Sequence, residues 1–91
     1  MKKYVIEREI PGVEKLNRDE LKGAAGASND ALSKLAPKVQ WVQSFVTKDR
    51  TFCIYLAENE DVINEHARLS GFPANKITEV TGIIDPTTAA A

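Results

Sequence analysis

The sequence predicts one small α+β domain in which two helices pack on the same face of a four-stranded antiparallel sheet. Three observations predict it. Strand-like and helix-like segments follow one another in the order β, α, β, β, α, β; capping signals mark where the helices begin; and 91 residues suit a single core. A domain of this length buries only about 60 to 65% of the surface its unfolded chain exposes. Pairing with a second copy is therefore expected to cover the sheet face that the helices leave open.

Residues Lys3 to Ile10 mix β-branched, aromatic and charged side chains before Pro11-Gly12, a strand followed by a turn. Asn17 with Glu20 forms a capping-box pattern, and Leu16 and Leu21 occupy the staple positions around it. Behind them Leu21, Ala24, Ala25, Ser28, Leu32 and Leu35 recur at helical spacing until Ala36-Pro37 ends the helix. Gly23 and Gly26 lie inside this helix, either on a solvated face or where another backbone approaches.

Val39 to Thr47 and Thr51 to Ala57 have strand composition and flank the polar connection Lys48-Asp49-Arg50, which predicts a hairpin. Asn59 with Glu60 and Asp61 then supplies a cap and an acidic first turn. Val62, Ile63, His66, Ala67 and Leu69 give a short helix closed by Gly71 and Pro73. Asn75 to Ile84 is the last predicted strand, and residues 84–91 make a small-residue surface tail. Two strand-helix-strand crossovers around one hairpin are the split βαβ, or ferredoxin-like, arrangement.

Strand residues alternate faces, so the hairpin register decides which side chains share a surface. An odd, three-residue connection groups Val42, Val46, Phe52, Ile54 and Leu56 toward the helices. It leaves Trp41, Gln43, Phe45, Cys53 and Tyr55 on the open face; an even connection mixes the two sets. The odd register sorts aliphatic and phenyl groups from polar-tipped ones and is the expected one. On that basis two sheets stacked in an isologous dimer would enclose a cavity in which Trp41 and Tyr55 meet a small organic ligand.

Twelve Lys and Arg against thirteen Asp and Glu give a net charge of −1 with no basic run, which argues against nucleic acid as partner. No segment has the length and apolarity of a membrane span, and no apolar stretch follows the lysines near the start. A cytoplasmic location is expected. A single cysteine rules out an intramolecular disulfide.

Cys53 is either a small buried residue or a soft metal ligand, and no residue is placed by spacing to activate it as a nucleophile. His66 borders the apolar stripe of the second helix, four after Val62 and three before Leu69, and is either bonded locally or a ligand. Glu7 and Glu9 share a strand face, as two carboxylates serving one cavity must, though rim charges show the same spacing. No His-x-x-x-His or Cys-x-x-Cys pair is present, so a tight metal site would need donors from two copies.

The blocks Gln40-Trp41-Val42-Gln43-Ser44-Phe45-Val46-Thr47, Phe52-Cys53-Ile54-Tyr55, Asn64-Glu65-His66-Ala67-Arg68, Gly71-Phe72-Pro73-Ala74-Asn75 and Ile84-Asp85-Pro86-Thr87-Thr88-Ala89 resemble the DUF4242 family. Glu7-Arg8 followed by Pro11-Gly12 resembles its opening. The resemblance implies a ferredoxin-like fold, a homodimer and, for some members, nickel, with Cys53 and His66 matching positions able to bind metal. Similar sequences carry His where this chain has Gln43, a poorer ligand for a late transition metal. The expected function is that of a non-enzymatic, homodimeric nickel-binding protein using Cys53 with Glu7, Gln43 or His66. Its alternative is a dimeric barrel that binds or transforms a small organic molecule.

Overall fold

A computed structural model describes residues 1–90. Its elements are β1 (Lys2–Glu9), α1 (Arg18–Leu35), β2 (Val39–Val46), β3 (Arg50–Ala57), α2 (Glu60–Ser70) and β4 (Lys76–Val80). The four strands form one antiparallel sheet in the order β2-β3-β1-β4, the ferredoxin-like α+β fold expected.

The helix starts follow the predicted chemistry. The Asn17 side chain accepts from the Glu20 N–H at 2.9 Å while Glu20 Oε1 accepts from the Asn17 N–H at 3.1 Å, a complete capping box. Asn59 Oδ1 accepts from the Val62 N–H at 3.0 Å at the start of α2. Gly71 ends α2 with φ 80°, a conformation that a Cβ disfavours.

The hairpin departs from the expected register. Val46 faces Thr51, and the Thr47 N–H donates to the Arg50 carbonyl at 2.9 Å, so the turn proper is the two-residue pair Lys48-Asp49. The connection is even. It is pinned from outside, because the Asp49 carbonyl accepts from the Ile10 N–H at 2.9 Å. Further along, Trp41 faces Tyr55 and Gln43 faces Ile54, leaving Val42 as the extra residue of a β-bulge.

Together these two features turn Trp41, Ser44, Val46, Thr51, Cys53 and Tyr55 toward the helices and Gln43, Phe45, Phe52, Ile54 and Leu56 toward the open side. The Trp41 indole N–H donates to Ser44 Oγ at 2.9 Å, a contact between residues three apart that the bulge brings to one face. The expectation that Trp41, Cys53 and Tyr55 line the open face is corrected by this register.

The core lies between the sheet and the helices. Tyr4, Ile6, Val39, Cys53, Tyr55, Ala57, Val62 and Ile63 are buried there, with Leu32, Leu35 and Ile77 packed against them. The last strand is shorter than predicted, five residues, and Ile83 and Ile84 beyond it are exposed. Pro86–Ala90 is an exposed 3-10 turn. Among the described residues no helix is long and apolar enough to cross a membrane.

Because the capping box holds the first turn of the longer helix, Asn17→Ala is expected to lower stability by about 1 kcal/mol. Urea denaturation followed by circular dichroism will show this as a lower midpoint at unchanged slope.

Candidate functional site

Alternation along β1 sends Tyr4, Ile6 and Arg8 to the interior. The first two complete the core, and the third places a guanidinium there with only 3% of the residue exposed. Arg8 Nη1 donates to the carbonyls of Phe72 at 3.2 Å and Pro73 at 2.8 Å, in the segment that follows the glycine cap of α2. Its guanidinium carbon lies 5.7 Å from the centroid of the Tyr55 ring, within cation–π range. Nη2 is buried without a hydrogen-bond partner.

Among the described residues no carboxylate pairs with this cation. The same alternation explains why. Glu7 points to the opposite face, where Arg50 lies at 3.4 Å and Lys76 at 4.0 Å; exposed Glu9 is 3.8 Å from Arg50.

A cavity of about 150 Å³ opens beside Arg8, between α1 and the inner face of the sheet. Its space comes from the middle of α1, which presents the small residues Ala24, Ala25 and Ser28 there. Trp41, Cys53 and Tyr55 form the sheet wall, and Leu16, Leu21 and Phe72 close the sides. The Trp41 and Tyr55 rings lie 6.5 Å apart at 17°.

Behind the cavity a polar string crosses the core. Ser28 Oγ is hydrogen-bonded to the Tyr55 hydroxyl at 3.3 Å and to His66 Nε2 at 3.1 Å, linking α1, β3 and α2. Burial raises the Tyr55 pKa above its ordinary value. Burial also lowers that of His66, and the Arg8 charge lowers it further, against an opposing hydrogen bond at Ser28. His66, 1% exposed, is thus held as neutral imidazole, with Nδ1 lacking a partner.

The predicted site residues divide between two surfaces. Trp41, Cys53, Tyr55 and His66 belong to the interior; Glu7 and Gln43 lie on the outer face of the sheet. Cys53 is 5% exposed, with Sγ 3.4 Å from Thr51 Oγ1. The aromatic cavity is a feature of one chain rather than of the space between two sheets. Arg8 and Ser28 were not anticipated, although a charged residue continuing the Tyr4, Ile6 stripe at the same two-residue spacing is a visible signal.

These donors do not fit a nickel ion within one chain. Among the described residues no three His, Cys, Asp or Glu side chains gather. Cys53 and His66 also share their compartment with an uncompensated cation, which opposes a second positive charge in a poorly solvated space.

Residues 4–80 match the family model described as nickel responsive protein, SCO4226-like. The chain belongs to this family. The family resemblance read from the sequence is supported as far as a related, nickel-responsive family. The fold is also that of the crystal structure of SCO4226 from Streptomyces coelicolor A3(2), at a TM-score of 0.75 and 15% sequence identity. That match covers 90% of this chain and 99% of the other, so the SCO4226-like fold is kept almost end to end. None of the curated proteins compared matches the chain.

Linkage gives the buried histidine a measurable signature. Its folded pKa lies below the unfolded value of 6.5, so its contribution to stability is present above that pH and is lost as pH falls through the folded pKa. Urea midpoints for the wild type are expected to drop on acidification below about pH 6.5 more than those of His66→Gln. Equal pH dependence of the two proteins would contradict a neutral, buried imidazole.

Proposed function

We propose that this member of the nickel-responsive family is a non-enzymatic homodimer that pairs through the outer face of its sheet, with nickel coordinated between copies. The observation that carries the reading is the composition of that face. Phe45 is 53% exposed and Val42 is 51% exposed, beside half-buried Val5, Phe52, Ile54 and Leu56. Contiguous apolar surface of this kind is an interaction surface in a domain too small to bury much of its own.

An isologous contact duplicates every donor on the face, which supplies what one chain lacks. Glu7 and Gln43 are the candidate donors there, offering a carboxylate and an amide oxygen from each copy. Glu7 already lies against Arg50 and Lys76, so a metal must compete with two cations. Weak binding follows, since oxygen donors suit harder ions better than nickel.

Light scattering of the purified chain is expected to give a dimer mass, and Phe45→Asp a folded monomer. Calorimetric titration with nickel should show binding to the wild type and to Cys53→Ala, and none to Phe45→Asp. A monomeric wild type, or loss of nickel binding in Cys53→Ala alone, overturns the reading.

A further inference from the structure

We propose that the cavity between α1 and the inner face of the sheet binds a small organic monocarboxylate, an apolar body about the size of a benzene ring carrying one acid group, with Arg8 as its counter-ion. The inference goes beyond the reading of the outer face and does not depend on it.

A guanidinium taken out of water carries a large desolvation cost unless an anion or a full set of acceptors meets it. Arg8 is 3% exposed, two carbonyls and a ring face occupy part of its surroundings, and Nη2 still has no acceptor. Neither neighbouring glutamate serves, because Arg50 lies against both, and Glu7 is on the far side of the sheet. The anionic group that would neutralise Arg8 is therefore one that a ligand supplies. With Nη1 committed to the Phe72 and Pro73 carbonyls, Nη2 is the guanidinium donor left unpaired, and the Arg8 side chain borders the cavity.

The rest of the lining sets the class of that ligand. Apart from Arg8, the groups around the space are mostly hydrocarbon and aromatic, among them Leu16, Leu21, Ala24, Phe72 and Trp41. A phosphate dianion would be left with most of its oxygens unmatched. A monocarboxylate needs one charged donor and places its hydrocarbon against the apolar walls. The volume, about 150 Å³, is that of an apolar protein cavity known to accept benzene, which makes benzoate a fitting probe. Exposed Leu21 and Val46 also belong to the lining and offer the apolar entrance.

The experiment titrates the full chain with sodium benzoate, benzyl alcohol and sodium chloride, following the fluorescence of Trp41, the only tryptophan, together with calorimetry. Saturable benzoate binding is expected, tighter than benzyl alcohol by about tenfold or more, with no fluorescence response to chloride. Arg8→Met is expected to remove this preference and leave benzyl alcohol binding in place. Should Arg8→Met fail to fold, Ala24→Leu decides the matter: it fills the cavity from the helix side and is expected to abolish benzoate binding in a folded protein. Benzoate binding no tighter than benzyl alcohol in the wild type, or unchanged in Ala24→Leu, overturns the proposal. So does a folded Arg8→Met that keeps the preference for benzoate.

Discussion

The two-residue turn at Lys48-Asp49 governs what each side of this sheet can do. The Ile10 N–H bonded to the Asp49 carbonyl fixes the turn against the end of β1, and the turn in turn fixes the pairing of Val46 with Thr51. From that pair onward, period-two alternation determines the facing of Cys53 and Tyr55 without further choice. β2 on its own would carry Trp41 to the solvent side in this register, and the extra residue at Val42 turns it back. One turn and one bulge therefore build the aromatic wall of the cavity.

A consequence is that the two faces of the sheet differ in chemistry as well as in exposure. The outer face holds apolar side chains beside Glu7, against which both Arg50 and Lys76 lie, all three partly solvated. Such partly exposed ion pairs add little stability. The inner face holds the reverse arrangement, a solitary cation among hydrocarbon. Its cost is retained in the fold, as is the cost of a buried histidine whose Nδ1 lacks a partner. Both orphaned groups flank Tyr55, and Ser28 connects that ring to the imidazole.

Much of the architecture was legible in the residues. Asn17 with Glu20 and Asn59 with the acids after it locate both helix starts, since their side-chain oxygens have one local use. The turn was less so. Without a glycine, Lys48-Asp49-Arg50 carries no local preference between odd and even closure, and the deciding bond comes from Ile10, at the far end of the preceding strand-helix-strand segment. The bulge at Val42 is likewise silent, because its neighbours suit either face. Ser28 was recognised as part of a helical stripe but not as a hub, since its two partners come from other elements. Arg8 sits in sequence between Glu7 and Glu9, whose spacing reads as a charged rim, and alternation alone separates it from both.

The placement of Arg8 also bears on how a nickel-responsive family can contain this chain. A soft thiol and an imidazole in one interior look like half of a transition-metal site by residue type. The electrostatics run the other way: burial, and after it the Arg8 guanidinium, depress the His66 pKa, and both disfavour a metal dication there for the reason they disfavour imidazolium. A proton and a metal ion are both positive guests, and the site already rejects the smaller charge. On the two proposed readings, the interior takes an anion and the outer face a second copy. The division of the sheet into those two surfaces makes ligand and partner separable, so that a substitution at Phe45 and one at Ala24 test different properties of one fold.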